Sequence, residues 1–510
     1  MPIPWLKGCT LLLALPLCFV SCSTAGDSLS IDLQRAYGKR VALAKNARSN
    51  RVKDQQYKDG DVLLVDMSGH NAVLEVRERE AIVQPSCTME SLVKATLPKG
   101  LIPKVVCEFK KITAAGAVSG AGLESSSHRC GQFNDVCTYF NVMLGNGTAV
   151  RVDKGAHELF DAIPGAYGSL GLLTEIGVEL EPATSHIKLK VKWYSDLDQG
   201  LGALVAACGG PKPPAFIEAL QLPSKAGQEG LALITGDWCD EEAHAASQRK
   251  WRERSYGLWY YEMIQSMSRE EGAELGLEVT IPTTDYLFRH DACAYWMGRP
   301  MTPPQWSWQG LRSLTPSTAM LLLVTSRNII CRLLFRWLYS ADRLYRMLHL
   351  ASPKAVAEKM VVLDAYIPPE HISSVVGHLR SFPISTPLWL CPVRAPSKPQ
   401  LLSPHGHVSP GHILVNVGCY GRVSDGEGER YMREAESWVA QVGGRKMLYS
   451  QNWYTKEDFW RLYDREGRYQ GLRYRYAAEA FPDLYAKVCH QGWDESDTQG
   501  WHYRVCQAML

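Results

Sequence analysis

Residues 113 to 133 read Thr113-Ala114-Ala115-Gly116-Ala117-Val118-Ser119-Gly120, then Gly122-Leu123-Glu124-Ser125-Ser126-Ser127-His128-Arg129-Cys130-Gly131-Gln132-Phe133. Glycines let a backbone approach a ligand and take positive φ. Serine hydroxyls and bare backbone N–H groups suit a pyrophosphate. The spacing is neither the G-x-G-x-x-G of a dinucleotide turn nor the G-x-x-x-x-G-K of a P-loop. A phosphate-bearing cofactor and a plain polar surface loop both fit these residues, and their types alone leave the two open.

Other constellations are missing. The chain has no H-E-x-x-H, no G-x-S-x-G and no paired metal-ligand spacing, so no metal is expected. Its 15 cysteines form no C-x-x-C pair, which points away from a zinc ribbon or a disulfide-stapled secreted domain. A formal net charge of +2 gives no electrostatic case for nucleic acid. The 15 Trp and 23 Tyr are many for 510 residues, and such side chains line apolar ligand pockets as well as cores.

The elements that must position these residues are mixed. Ala72 to Val83 is strand-rich, and Thr88 caps a short helix. A hairpin is expected around Gly145-Asn146-Gly147, followed by a strand from Gly171 to Leu180. His186 to Trp193 alternates, with Ile187, Leu189, Val191 and Trp193 on one face. Helices are predicted from Pro353, from Pro369, over 429–442 and after Thr455. The Pro/Ser/His-rich stretch Ala395 to Gly411 reads as a surface excursion. Strands and helices do not strictly alternate, so the fold class is α+β.

At the N-terminus an apolar run from Leu11 to Val20 follows Lys7, and residues 1–27 read as a hydrophobic signal or anchor. Residues 28–60 read as a basic linker. A second apolar stretch, Met320 to Leu338, is broken by Arg327, Arg332 and Arg336 and reads as an amphipathic helix rather than a span.

Thr113 to Phe133 also resembles the flavin-binding segment of the Diminuto-like Δ24-sterol reductases, membrane enzymes with a vanillyl-alcohol-oxidase (PCMH) type of FAD domain. The similarity continues through Asp161-Ala162-Ile163-Pro164, Gly168-Ser169-Leu170-Gly171-Leu172 and Leu388-Trp389-Leu390-Cys391-Pro392. It recurs in Gly418-Cys419-Tyr420-Gly421, Met447-Leu448-Tyr449, Phe459-Trp460 and Ala480-Phe481-Pro482-Asp483-Leu484-Tyr485. The resemblance implies an FAD-binding PCMH-type domain over 61–185, lacking part of its N-terminal half, a substrate (cap) domain over 186–420, and a C-terminal segment, 421–510, packing back on the flavin site.

By the same resemblance Thr113, Gly116, Gly120 and Gly122 approach the pyrophosphate. Glu124, Ser125, Ser126, Ser127, His128 and Gly131 lie near the ribityl chain and ring, and Gly168, Gly171 and Leu172 flank them. Alanine stands at position 115 where the family has glycine. There is no R-S-G-G-H segment, so FAD would be non-covalent, and NADPH would be the co-substrate at the same open face.

The implied reaction saturates a sterol side-chain double bond and needs a proton donor in a dry pocket with π-faces around it. Tyr420, Tyr449 and His290 are candidate donors; Trp389, Trp453 and Trp460 are candidate π-walls. The implied location is the endoplasmic reticulum membrane, with the catalytic part in the cytosol. Two other readings stay open. One is an FAD-linked oxidase or dehydrogenase of a small alcohol or sugar. The other is a non-catalytic descendant that binds FAD poorly.

Overall fold

The computed structural model describes residues 19–21, 40–44, 62–223, 229–254, 257–297, 339–384, 387–423, 425–490 and 492–493. Its strands form three sheets. The first holds β1 (Phe19–Ser21), β2 (Arg40–Leu43) and β3 (Val62–Asp66), all parallel, in the order β1-β3-β2. Two of these strands lie in the stretch expected to be leader and linker. In β2 the basic neighbours flank a buried Val41-Ala42 pair, and in β3 Val65 is buried as well. The rest of the N-terminal apolar run, most of the linker and Met320 to Leu338 lie outside the described residues.

The second sheet is antiparallel and runs β4-β5-β9-β7-β8, with β6 pairing on β9. These are Val73–Val76, Glu80–Val83, Leu101–Pro103 (β6), Cys137–Met143, Ala149–Asp153 and Leu172–Pro182 in chain order. β7 and β8 form the expected hairpin, closed by Leu144 N–H to Thr148 O. Thr88 caps α1 (Met89–Thr96), its Oγ1 accepting from Ser91 N–H at 3.1 Å.

The third sheet is antiparallel, has eight strands and follows the order β13-β10-β12-β11-β15-β16-β14-β17. In chain order its strands are β10 (His186–Tyr194), β11 (Phe216–Pro223), β12 (Glu229–Cys239), β13 (Leu277–Pro282), β14 (Met360–Ile367), β15 (Leu388–Arg394), β16 (Ile413–Arg422) and β17 (Arg445–Lys446). The alternation of β10 is real: Ile187, Leu189, Val191 and Trp193 are buried. One face packs on the helices Ile372–Arg380 and Gly428–Gln441, and the other on the helix Tyr260–Met267 and on Phe109, Leu123 and Tyr295. The class is α+β, as expected.

The C-terminal segment returns to the first sheet. Leu448, Phe459, Tyr463 and Leu484 pack in one cluster with Val41, Val65 and Leu170. The stretch 395–411 reaches the surface at 397–399 and 409–411, as expected, but its middle, 400 and 402–406, is buried. Gln400, Ser403 and His405 are buried and hydrogen-bond to Gln132, Asn134 and Asp135, so its polar composition serves a buried network.

Candidate active site

A cavity of about 720 Å³ lies where the three sheets meet, inside the range of roughly 300–1,000 Å³ usual for ligand sites. One group of wall residues is polar or backbone: Ala44, Asp66, Ser68, Asn71, Gly168 and Lys487. The other is aromatic and acidic: Glu108, Tyr295, Asp364, Trp389, Tyr420 and Tyr449. Between them stands α2 (Ala114–Ser119), capped by Thr113, whose Oγ1 accepts from Gly116 N–H at 3.1 Å.

Thr113, Gly116, Gly120, Gly122, Gly168, Gly171 and Leu172 all line this cavity. The glycines serve the protein as much as a ligand. A Cβ on Gly122 would sit 2.4 Å from Cys107 Sγ, so the thiol occupies the missing side chain's place. Gly168 has φ +73, where a side chain would be strained. Ala121 (φ 56) and Tyr167 (φ 51) hold left-handed backbone beside Gly122 and Gly168. Such strain concentrates at functional sites.

Glu124, Ser125, Ser126, Ser127, His128 and Gly131 are placed differently from the expectation: none lines the cavity. Glu124 accepts from Arg289 Nη2 at 2.9 and 2.8 Å, and Ser125 closes on Glu124 through both its N–H and its hydroxyl. Ser126 donates to Lys104 O, and Ser127 Oγ accepts from Glu124 N–H. His128 bridges Ser125 O and Pro214 O, and the space beside Gly131 is filled by the Asp135 carboxyl. These side chains are satisfied by the protein and join the second sheet to the third.

Arg289 is the hub of that junction. It also donates to Glu218 through Nε at 2.8 Å and Nη2 at 2.7 Å, with both side chains fully buried. Burial would raise Glu218, but the Arg289 charge and the His290 bond hold it well below the usual carboxylate range. Burial raises Glu124, opposed by the same guanidinium. Glu124, Glu218 and His290 are grouped closely enough to ligate an ion, yet Arg289 occupies the space between the two carboxylates. Glu218 also takes the Tyr260 hydroxyl and, at 2.8 Å, the Trp389 indole N–H.

His290 pairs with Glu218 (3.4 Å), and the neighbouring Asp291 carboxylate accepts from Lys110 N–H. Burial, helped by the Arg289 charge, lowers His290 to about 4, so its ring is neutral at neutral pH. It stands behind the cavity wall, stacked 4.1 Å from the Tyr295 ring.

Tyr420 and Tyr449 are at the wall, and both are bound to one carboxylate. Asp364 accepts the Tyr420 hydroxyl at 2.7 and 2.8 Å, the Tyr449 hydroxyl at 2.5 Å and Asn416 Nδ2 at 2.6 Å. Burial raises Asp364 to about 6 despite these bonds. Burial, then Asp364 itself, pushes both phenols well above their usual range. Gly418 faces Asp364 across the β14–β16 ladder, and the Tyr420 hydroxyl fills the space its side chain would take.

Of the candidate π-walls, only Trp389 is present at the cavity. Trp453 packs beside Glu436 and Arg433, and Trp460 stacks on Tyr469 at 4.8 Å. Tyr295 takes their place, with ring centroids 5.4 Å from Trp389, 4.9 Å from Tyr420 and 5.7 Å from Phe109. Three successive non-glycine residues, Cys293 (φ 69), Ala294 (φ 43) and Tyr295 (φ 62), form the left-handed turn that carries it. Its hydroxyl is buried with no hydrogen-bond partner among the described residues.

Sequence reasoning missed Glu108, Glu218, Arg289, Tyr295 and Asp364. Two carried a readable signal: Glu218 in Phe216–Pro223 and Asp364 in Met360–Ile367 are lone carboxylates inside apolar strands, and a charge there needs partners.

Comparison with known proteins agrees with this geometry. The profile of the family described as "FAD binding domain" matches residues 19–153. That match starts upstream of residue 61 and takes in all three strands of the parallel sheet. Delta(24)-sterol reductase of Macaca fascicularis is 28% identical over 436 residues, 82% of this chain and 76% of that one. Delta(24)-sterol reductase of Pisum sativum is 27% identical over 477 residues, 86% of this chain and 78% of that one. An uncharacterized oxidoreductase of Rhodococcoides fascians is 28% identical over 171 residues, 33% of this chain and 39% of that one. The chain is an oxidoreductase with an FAD-binding domain, related to the Delta(24)-sterol reductases of animals and plants.

Proposed function

We propose that the chain binds FAD non-covalently and uses electrons from NADPH to saturate an isolated carbon–carbon double bond in a sterol side chain. The observation that supports this reading is the make-up of one cavity, where polar and backbone walls with a buried lysine adjoin an aromatic chamber holding Glu108 and Asp364. The donor set fits FAD. Lys487, Ser68, Asn71 and Ser86 offer partners to phosphate and ribityl oxygens, and the orphaned Tyr295 hydroxyl needs a polar ligand atom. When bound, FAD would supply the two-electron chemistry that side chains lack.

An isolated alkene is not electron-poor, so it accepts hydride only if a carbon is protonated before or during the transfer. The chain's own residues must then exclude water, deliver the proton and stabilise positive charge. Trp389, Tyr295 and Tyr420 offer π-faces to a cationic carbon. Asp364, at about 6, is largely ionised at neutral pH and adds a negative charge behind them. Its bonds to Tyr420 and Tyr449 fix two rings of the chamber.

A sterol substrate fits association with the endoplasmic reticulum membrane. Among the described residues no helix is long and apolar enough to cross a membrane.

The test is the visible spectrum of the protein purified in mild detergent, then NADPH oxidation with a Δ24 sterol. Flavin bands, FAD released near one per chain and a saturated sterol product are expected. Oxygen consumption with a sugar or small alcohol, without a sterol, would replace this reading with the oxidase one. A protein that stays colourless after incubation with FAD would leave only a non-catalytic role.

A further inference from the structure

We infer that Glu108 is the acid that delivers the proton to the double bond, an assignment that rests on the alkene-reductase reading above. Glu108 lies on the cavity wall between Cys107 and Phe109, and among the described residues its carboxyl accepts only from its own backbone N–H. It is the wall carboxyl left available to a ligand.

The rivals are committed elsewhere. The Tyr420 and Tyr449 hydroxyls both donate to Asp364. Giving up either proton would leave a phenolate against that carboxylate, two negative charges in a low-dielectric chamber. Asp364 has its two oxygens filled by three donors and acts as an acceptor. His290 stands behind the Tyr295 ring, bonded to Glu218, and does not reach the cavity.

The groups around Glu108 favour its protonated form. Asp364 and Glu124 oppose a third negative charge, Arg289 weakly favours it, and Tyr295, Tyr345 and Tyr449 add only neutral phenols. Glu108 keeps part of its surface on the cavity, yet burial is the largest effect, opposed by the bond from its own backbone N–H. It pushes the carboxyl up to about 8, so at neutral pH it carries a proton. A carboxylic acid is far stronger than a buried phenol, as protonation of an alkene demands.

The step balances. The Glu108 O–H bond breaks and its electron pair stays on the carboxylate. The alkene π pair takes the proton to make one C–H bond, leaving a cationic carbon against the Tyr295 and Trp389 rings. Hydride, the equivalent that NADPH supplies on becoming NADP⁺, makes the second C–H bond. Water returns the proton to Glu108.

Wild type, Glu108→Gln and Glu108→Asp are compared in three measurements: flavin reduction by NADPH, saturation of a Δ24 sterol, and the infrared carbonyl band of a protonated carboxyl in the FAD-free protein. The expectation is unchanged flavin reduction in E108Q, saturation lowered on the order of 10²–10⁴-fold, partial recovery in E108D, and a neutral-pH carboxyl band that E108Q loses. Saturation by E108Q at the wild-type rate, or a wild-type band unaffected by E108Q, overturns the assignment. Failure of the wild type itself to saturate the sterol, with flavin bound and reducible, sinks the functional reading instead.

Discussion

The Trp389 indole N–H lies 2.8 Å from Glu218 Oε2, and this single bond ties an aromatic wall of the cavity to a fully buried ion cluster. The same carboxylate holds Arg289, Tyr260 and His290, so one side chain holds the Trp389 ring directly and, through His290, backs the Tyr295 ring. Removing one partner of a buried ion pair typically costs about 3–5 kcal/mol. Arg289→Met should therefore lower the thermal midpoint strongly, because two buried carboxylates would face each other. Glu218→Gln should cost less and shift the tryptophan fluorescence. Differential scanning fluorimetry checks both, and a thermally silent R289M would contradict the cluster as described.

Gly122 makes a packing prediction. A methyl there would meet Cys107 Sγ at 2.4 Å, and overpacking a core typically costs about 1–3 kcal/mol. Gly122→Ala should destabilise by that amount, and adding Cys107→Ala should restore much of the loss. A double-mutant cycle by urea unfolding reads the coupling. Additive effects would mean the two residues do not touch.

Tyr295→Phe should separate stability from ligand binding. An unsatisfied buried hydroxyl costs about 1–3 kcal/mol, so the FAD-free variant should be as stable as wild type or more so. Loaded with FAD and sterol, it should gain less stabilisation than wild type does. Equal ligand-induced shifts in thermal midpoint would show that nothing bound satisfies the hydroxyl.

Lys487 is buried, donates to Tyr167 O and borders Gly168 at the polar side of the cavity. A charge-assisted hydrogen bond contributes about 1.5–3 kcal/mol. Lys487→Met should then weaken FAD binding by roughly 10- to 150-fold, read by titrating the FAD-free protein with FAD. An unchanged affinity would remove this lysine from the phosphate-binding set.

The raised carboxyls also predict how the FAD-free protein responds to pH. Burial lifts Glu108 from 4.5 to about 8 and Asp364 from 3.8 to about 6, so the folded state keeps protons that the unfolded chain releases. That contribution is complete below pH 4 and is lost as pH rises through about 6 and about 8. His290, lowered from 6.5 to about 4, acts oppositely and is lost as pH falls through that interval. Unfolding midpoints across pH 4–9 should flatten on the alkaline side in E108Q. An unaltered slope there would place the titration elsewhere.

Local features were legible in the sequence because local chemistry produces them. The Thr88 and Thr455 caps, the Gly145 hairpin and the alternation of β10 all follow from a few adjacent residues. The seven residues read onto the cavity wall from the first glycine segment and the 168–172 turn do line it. The Glu124–His128 run was harder, because a polar run looks the same whether it meets a ligand or its own fold. Its partners Arg289 and Pro214 are 165 and 86 residues away. The Asp364–Tyr420–Tyr449 triad was hidden for a similar reason, since it depends on the β14–β16 register, which no local pattern specifies.

The left-handed turn at Cys293–Tyr295 has a further consequence. Left-handed backbone costs roughly 1–2 kcal/mol for each residue with a side chain, and here three stand in a row. The turn is fastened at its base: Cys293 N–H bonds to Tyr339 O, Ala341 N–H to Asp291 O, and Ala292 bridges to Ser340. The described stretches that end at 297 and begin at 339 thus meet at one point, beside the ring that closes the chamber. The turn acts as a wound spring with a clip across its foot. A ligand bonded to the Tyr295 hydroxyl would add a tie at the tip of this turn, opposite the clip at its foot.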